Sequence, residues 1–181
     1  ETIKKYSGID YIENLDIDSL SKEMKSLGIA VDKQVSWGGM MDKLISSKVE
    51  PNLIQPCFLV DYPISMSPLA KKKTSDPRVV ERFEGFVAGM EICNSFTELN
   101  DPIDQRERFE QQEDLRDKFE KEEMDRLDED FLVAIEHGMP PTGGIGIGLD
   151  RITMLLCNQK SIREVILFPH LRNLKTSEDE T

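Results

Sequence analysis

The sequence lacks the features of a membrane protein and of a disulfide-rich secreted protein. No apolar run approaches the ~20 residues that a bilayer-spanning helix needs, and no secretory leader pattern opens the chain. There are only three cysteines, Cys57, Cys93 and Cys157, and their wide spacing fits neither a zinc site nor a disulfide framework. We therefore expect a cytoplasmic protein without membrane contact, in which all three cysteines are buried as small apolar residues.

Basic charge is also scarce, since 23 Lys and Arg accompany 35 Asp and Glu, for a net charge of −12. A module that binds nucleic acid by itself usually presents a basic face, because it must neutralise phosphates. Much of the acidic surplus lies between Asp104 and Asp130, where thirteen acidic residues accompany six basic ones. This charge argues against DNA or RNA as the main ligand of the segment.

What is present is a mixed α and β pattern in a chain long enough for one domain with a hydrophobic core. Asp18 and Ser36 are predicted to cap the first two helices, at 18–27 and 37–49. The elements predicted after them are a buried strand in 57–63, two strands within 82–99, helices from 102 and over 131–137, a glycine-rich strand, a helix at 150–157 and a short strand at 165–168. Because the chain begins at Glu1 rather than at a methionine, we expect it to be part of a longer protein.

The glycine-rich strand lies in "GGIGIGLDRITMLL", residues 143–156. Side chains alternate between the faces of a strand, so one face carries only Gly144, Gly146 and Gly148. The other face carries Ile145, Ile147 and Leu149, which we expect to pack into the core. A strip without side chains allows a flat or bulky ligand to lie against the backbone. The spacing matches neither the dinucleotide fingerprint nor a P-loop.

Arg151 follows this strip at the start of the next predicted helix. Its guanidinium could stack on a nucleobase or hold a phosphate with its planar fork. The alternative is tight packing of helix on strand, with Asp150 as the helix cap and Arg151 in a surface ion pair. The spacing leaves both interpretations open.

A second group of polar residues lies in "ERFEGFVAGMEICNSFTELND", residues 81–101. Asn94, Phe96 and Glu98 share parity and therefore one face of a strand. Together they suit lysine lying along the strand, with its carboxylate at Asn94, its hydrocarbon stem on Phe96 and its ammonium at Glu98. The alternative is an edge strand with a solvated face.

Two further carboxylates, Glu84 and Glu91, lie seven residues apart on neighbouring predicted strands. Such a pair beside a phosphate chain would suit Mg²⁺, which takes oxygen ligands and usually keeps waters. Glu91 has the opposite parity to Asn94. Either a bulge lies between them or the metal lies at the end of the strand.

These residues carry a family resemblance. "GGIGIGLDRITMLL" resembles motif 3 of class II aminoacyl-tRNA synthetases, the strand and helix that hold ATP. "FLVDYPISMSPLAK", "MEICNSFTELNDPIDQRERFEQQ" and "EHGMPPTGGIGIGLDR" resemble the bacterial lysyl-tRNA synthetases, and the likeness covers 1–172. It implies an α+β fold, a mostly antiparallel sheet flanked by helices, and a partial class II catalytic domain.

The resemblance also implies roles. Arg151 would correspond to the motif 3 arginine, the catalytic residue that contacts ATP. The glycines of the strip, with Glu84 and Glu91, would complete the ATP site, in which the two carboxylates would hold Mg²⁺. The lysine site is implied to consist of Asn94, Phe96 and Glu98. The substrates would be ATP, L-lysine and tRNA(Lys), the intact enzyme a homodimer, and the reaction the formation of lysyl-adenylate followed by transfer to tRNA.

Three parts of the family have no counterpart in the sequence: the anticodon-binding OB-fold, motif 1, and motif 2, whose arginine holds the α-phosphate of ATP. The resemblance therefore places the chain in the C-terminal half of a catalytic domain and implies that it is inactive alone. An acidic helical connection is expected at about 101–130 and a disordered tail at 173–181. Two alternatives remain open: a synthetase-like paralogue that lysylates a protein or makes an amide, and a nucleotide-binding or scaffolding module without catalysis.

Overall fold

The computed structural model describes residues 1–14, 16–31, 36–119 and 128–169. The helices are α1 (Thr2–Ser7), α2 (Ile17–Ser26), α3 (Trp37–Leu44), α4 (Pro102–Phe119), α5 (Glu129–Glu136) and α6 (Leu149–Leu156). The strands are β1 (Cys57–Val60), β2 (Arg82–Val87), β3 (Met90–Thr97) and β4 (Gly143–Ile147). The chain divides into two compact units, Glu1–Ile147 and Gly148–Thr181, which are described separately below.

The four strands of the first unit form one antiparallel sheet in the order β1-β2-β3-β4. Helices and an antiparallel sheet confirm the α+β prediction. The β2–β3 hairpin turns at Ala88 and Gly89, which both have positive φ, at 55° and 74°. Glycine adopts such a conformation without steric cost, and this accounts for the predicted break at Gly89.

A β-bulge lies between β2 and β3. Gly85 pairs with Cys93, but the next residue, Phe86, pairs with Glu91, so Ile92 is an extra residue in β3. The extra residue reverses the parity of Glu91 relative to Asn94. The bulge therefore places Glu91 on the same face as Asn94. Of the two alternatives, a bulge between these residues or a metal at the end of the strand, the bulge is observed.

One face of the sheet, called the covered face below, packs against the helical layer. It carries Cys57 and Leu59 of β1, Phe86 of β2 and Phe96 of β3, which contact the buried core. Core residues with no exposed surface come mainly from α2, α3 and the turns after α3: Leu20, Met24, Met40, Met41, Leu44 and Val49. Burial of these side chains is the main driving force for folding this unit.

The other face of the sheet, called the open face, remains exposed. Phe58 and Val60 of β1 are 67% and 53% exposed, and Ile145 and Ile147 of β4 are 59% and 51% exposed. The predictions that β1 is buried and that Ile145 and Ile147 join the core are therefore wrong. Alternation along a strand sends these side chains away from the covered face, and the described residues of the first unit place no layer over them. Leu149, also predicted to be in the core, lies in the second unit and is exposed.

Several local predictions are corrected. The N-cap of α2 is Asp16, whose side chain accepts a 2.8 Å hydrogen bond from Ser19 N, and not Asp18, which lies in the first turn. The cap at Ser36 is confirmed. Residues 165–168 form turns and bends instead of a strand. None of the cysteines is fully buried, and Cys157 is exposed.

Two predictions fall in part or wholly outside the described residues. The acidic connection at about 101–130 is described as α4 and the start of α5, while 120–127 lie outside the description. The tail at 173–181 lies wholly outside it. Among the described residues, no helix is both long and apolar enough to cross a bilayer.

Candidate active site

Arg82, at the start of β2, lies at the centre of a polar cluster on the covered face. Its Nη2 forms an ion pair with Glu84, and the side chains of both residues are largely buried, at 15% and 12% exposed. Its Nε donates a 3.1 Å hydrogen bond to Asn94 Oδ1. Direct cross-strand pairing of Glu84 with Asn94 brings both side chains within reach of one guanidinium. The sequence reasoning missed Arg82, although it shares parity with Glu84.

Tyr62 completes this cluster from the loop after β1. Its hydroxyl donates a 2.5 Å hydrogen bond to the second carboxylate oxygen of Glu84, and the Arg82 guanidinium lies 4.5 Å from its ring centroid. Burial, with a further contribution from the Glu84 carboxylate, raises the pKa of the Tyr62 hydroxyl well above its ordinary value. Tyr62 therefore stays protonated and serves as a hydrogen-bond donor to Glu84.

The three residues predicted for a lysine pocket form a row along the covered face. Asn94 pairs with Gly146 and Phe96 with Gly144, so the glycines of β4 lie directly beside the row. Glu98 follows β3, and its backbone N–H donates a 2.9 Å hydrogen bond to Thr142 O. Burial raises the pKa of the Glu98 carboxyl above its ordinary value. The row thus ends at a partly desolvated carboxylate.

Gly144 makes room for that carboxylate. A Cβ at position 144 would lie only 2.5 Å from Glu98 Oε1, which is closer than real Cβ contacts come. A Cβ at Gly146 would meet only the backbone oxygen of Asn94, at 3.9 Å, which is ordinary contact. The sequence predicted a strip that leaves room for a ligand, whereas Gly144 makes room first for a side chain of the protein itself.

Helix α4 holds the loop that precedes β2. The Arg108 guanidinium donates to the carbonyl oxygens of Ala70 and Ser67, at 2.7 and 3.3 Å, and to both carboxylate oxygens of Asp104, at 3.0 Å each. Gln105 Nε2 donates to Pro68 O at 3.1 Å. Ala70 in turn forms a β-bridge with Glu98. The helix thereby supports the loop beside the Glu98 carboxylate.

Asp104 shows that this support is electrostatically favourable. Burial alone would raise the pKa of its carboxyl, but hydrogen bonds from Arg108 and Lys72 outweigh burial and hold that pKa below its ordinary value. The Lys72 ammonium lies 3.1 Å from the Asp104 carboxylate. From the sequence, the acidic stretch was predicted only to be a helical connection. An Asp and an Arg four residues apart on a predicted helix were the available signal.

Glu84 and Glu91 are the candidates for the predicted Mg²⁺ site. The bulge puts Glu91 on the covered face, where Glu84 also lies, and their hard oxygen donors suit Mg²⁺. Each oxygen of Glu84 accepts one hydrogen bond, which leaves a second lone pair for a metal. Among the described residues, no group of three or more His, Cys, Asp or Glu side chains could hold a metal. The donor set therefore fits an ion whose other ligands are phosphate oxygens and water.

The second unit contains the other predicted ATP residues. Gly148 is the N-cap residue of α6, so the proposed capping role of Asp150 is not observed. Arg151 lies in the first turn of α6, and a Cβ at Gly148 would lie 3.6 Å from the Arg151 side chain. The roles of Gly148 and Arg151 in binding ATP stay predictions.

Residues 2–172 match the sequence family described as tRNA synthetases class II (D, K and N). The chain belongs to this family. Similar sequences include the lysine–tRNA ligase of Dehalococcoides mccartyi strain 195, which is 51% identical over 173 residues, or 96% of this chain and 35% of the relative. The lysine–tRNA ligase of Chloroflexus aurantiacus is 52% identical over 167 residues, or 92% of this chain and 34% of the relative.

A third relative, the lysine–tRNA ligase of Pelotomaculum thermopropionicum, is 49% identical over 174 residues, which are 95% of this chain and 34% of the relative. The chain thus spans about a third of the length of these ligases. The predicted resemblance to lysine enzymes of class II is confirmed. The role of each site residue stays a prediction.

Proposed function

We propose that the chain forms part of a lysine–tRNA ligase, which activates lysine with ATP to lysyl-adenylate and transfers it to tRNA(Lys). The observation that supports this most directly is the row of Asn94, Phe96 and Glu98, which ends at a partly desolvated carboxylate beside Gly144. An amide, an aromatic ring and a carboxylate in this order match the carboxylate, stem and ammonium of lysine. The identity to lysine–tRNA ligases supports the same substrate.

Glu98 would provide selectivity for lysine. Its carboxylate is partly buried, which raises the pKa of Glu98, and an incoming ammonium would compensate for the lost hydration. An apolar amino acid would leave the charge unpaired, which costs about 3–5 kcal/mol for a buried group. Because Glu98 keeps some contact with solvent, we expect the lower end of that range.

Activation requires the lysine carboxylate to attack the α-phosphorus of ATP, forming the new oxygen–phosphorus bond while pyrophosphate leaves. The nucleophile is already ionised, so no protein base is needed. His137 need not act as a base, and its Nδ1 lies 2.7 Å from Val133 O, one turn earlier in the chain. Positioning and neutralisation of charge would supply most of the rate enhancement.

The ATP phosphates would be bound by Mg²⁺ and by side chains of the protein. Glu84 and Glu91 would hold Mg²⁺, which neutralises phosphate charge when bound. Arg151, as the catalytic residue, would contact ATP, and the glycines of the strip would leave space for the nucleotide. Contacts to tRNA(Lys), homodimer formation and the α-phosphate ligand would come largely from sequence outside this chain. We place the protein in the cytoplasm, where its substrates are.

The test uses a complete synthetase that carries this chain. Residues 2–172 replace the matching segment of the Dehalococcoides mccartyi strain 195 ligase, and the product is called the completed enzyme. Glu98→Gln should raise the KM for lysine about 100-fold, from the loss of a charge partner worth about 3 kcal/mol. The KM for ATP should change less than about twofold, because Glu98 in this pocket would contact lysine and not ATP.

Glu107→Gln is the matched control, since Glu107 is exposed on α4 and the same charge is removed. Both KM values should stay at the wild-type level in this variant. An equal change of both KM values in Glu98→Gln, or no change in either, would show that the lysine pocket is assigned to the wrong residues. Lysine activation without transfer to tRNA would instead indicate a synthetase-like paralogue.

A further inference from the structure

Arg82 links two groups that the proposed function assigns to different ligands. Its Nη2 pairs with Glu84, on the phosphate side, and its Nε donates to Asn94 Oδ1, on the lysine side. Its Nη1 donates to Ser67 Oγ at 2.7 Å and to Met66 O at 3.1 Å. One side chain thus connects β2, β3 and the loop before β2.

The bond to Asn94 determines which end of its amide is available to a ligand. Arginine only donates hydrogen bonds, so the atom of Asn94 that faces Nε must be the carbonyl oxygen. The NH₂ group is then directed to a second partner. A carboxylate accepts hydrogen bonds from NH₂ but is repelled by a carbonyl oxygen, so this orientation suits a substrate carboxylate.

The guanidinium is itself held from several sides. Its contact with the Tyr62 ring at 4.5 Å, its bonds to the 66–67 loop and its ion pair with Glu84 constrain the plane as well as the position of the group. A lysine side chain in place of Arg82 could not make this set of contacts, because its ammonium is a compact point charge without a planar fork.

We propose that Arg82 is a positioning residue that holds the Asn94 amide with its NH₂ group toward the substrate carboxylate. This inference rests on the proposed function, in which Asn94 binds the carboxylate of lysine. Arg82 itself touches no substrate. It determines how well the site distinguishes a ligand that has a carboxylate from one that does not.

The main test is Arg82→Lys in the completed enzyme, because this variant keeps a cation beside Glu84 and loses the Nε bond to Asn94. The KM for lysine should rise about 3- to 10-fold, because the Asn94 amide keeps its donors for the substrate carboxylate but loses the hydrogen bond that orients them. The KM for ATP should change less than about twofold, because the charge beside Glu84 is retained. The inhibition constant of cadaverine, which is lysine without its carboxylate, should not change.

Arg78→Lys is the matched control. Arg78 also pairs with a carboxylate two residues away, Asp76, but it is exposed and lies outside the row. The KM values of Arg78→Lys and its inhibition constant for cadaverine should equal those of the wild type. Asn94→Asp is a second variant, which keeps an acceptor for Arg82 and removes the NH₂ donors. Because like charges then face each other, the KM for lysine should rise more than about 100-fold, while cadaverine binding is not weakened.

An unchanged KM for lysine in Arg82→Lys would overturn the inference. An equal loss of lysine and cadaverine binding would also overturn it, because that would show general damage to the pocket. Asn94→Ala, measured in the same assay, separates this failure from failure of the proposed function. If Asn94→Ala leaves the KM for lysine unchanged, the lysine pocket is wrong; if it raises that KM while Arg82→Lys does not, only the role of Arg82 is wrong.

Discussion

Replacing Gly144 with alanine tests whether the glycine strip makes room for the Glu98 carboxylate. The new Cβ would lie 2.5 Å from Glu98 Oε1, and ordinary contact begins at 3.4 Å, so the carboxylate must move by about 0.9 Å. The obstructing atom is the end of a flexible side chain, so the strand need not move. We therefore expect the free energy of unfolding to change by less than about 1 kcal/mol.

The same displacement should strongly affect catalysis. Misplacing a positioning group by about 1 Å costs up to about 100-fold, and a carboxylate about 0.9 Å out of place meets the lysine ammonium poorly. We expect kcat/KM for lysine to fall about 10- to 100-fold in Gly144→Ala. The assay is lysine-dependent ATP–pyrophosphate exchange by the completed enzyme, with lysine and ATP varied in turn.

Gly146→Ala is the matched control, because its Cβ would meet only Asn94 O, at 3.9 Å. Its KM for lysine should stay near the wild-type value. The reasoning is refuted if Gly144→Ala folds normally and keeps the wild-type KM for lysine, or if Gly146→Ala loses lysine binding to the same extent.

Three further predictions concern the chain by itself. The pKa of Glu98 is raised in the folded state, so deprotonation of this carboxyl costs stability. That cost is absent below the ordinary pKa and appears as pH rises through the raised value. Glu98→Gln should therefore have the same melting temperature as the wild type at about pH 4 and a higher one at about pH 7. Arg108→Met should lower the free energy of unfolding by about 3 kcal/mol in urea denaturation, because it leaves Asp104 and buried carbonyl groups without their main donor. Arg106→Met, which removes an exposed pair with Glu129, should lower it by less than about 1 kcal/mol, and equal losses in the two variants would contradict the supporting role of Arg108. The 181 residues alone should give no lysine-dependent ATP–pyrophosphate exchange. They contain no counterpart of the family's α-phosphate arginine, and one such donor is worth about 10²–10³ in rate. Exchange near the rate of a complete synthetase would refute this prediction.

The sequence predicted features that depend on local rules. Parity along one strand placed Asn94, Phe96 and Glu98 on a common face, and the structure shows this row because β3 is regular from Cys93 onward. The cap at Ser36 and the break at Gly89 were predicted for the same reason, since each depends on one residue and its neighbours. The bulge at Ile92 was left open, because the pairing of two strands determines it.

The features that the sequence did not predict depend on distant contacts. Arg82 reaches Asn94, and Arg108 reaches Ala70 across 38 positions of chain, so no local pattern identifies either as part of the site. Ile145 and Ile147 alternate as core residues do, but alternation does not tell which face of a sheet another layer will cover. Gly144 was predicted to leave room for a ligand, and only the packing showed that the Glu98 carboxylate lies in that room.

The central claim is that this chain supplies the pocket that selects lysine in a family that includes enzymes for three amino acids. The most direct test is the amino-acid dependence of ATP–pyrophosphate exchange by the completed enzyme, with lysine, aspartate and asparagine compared at equal concentrations. We predict that only lysine supports exchange, and that Glu98→Gln removes most of this activity at low lysine concentration. Exchange with aspartate or asparagine, or exchange with lysine that is unaffected by Glu98→Gln, would contradict the claim.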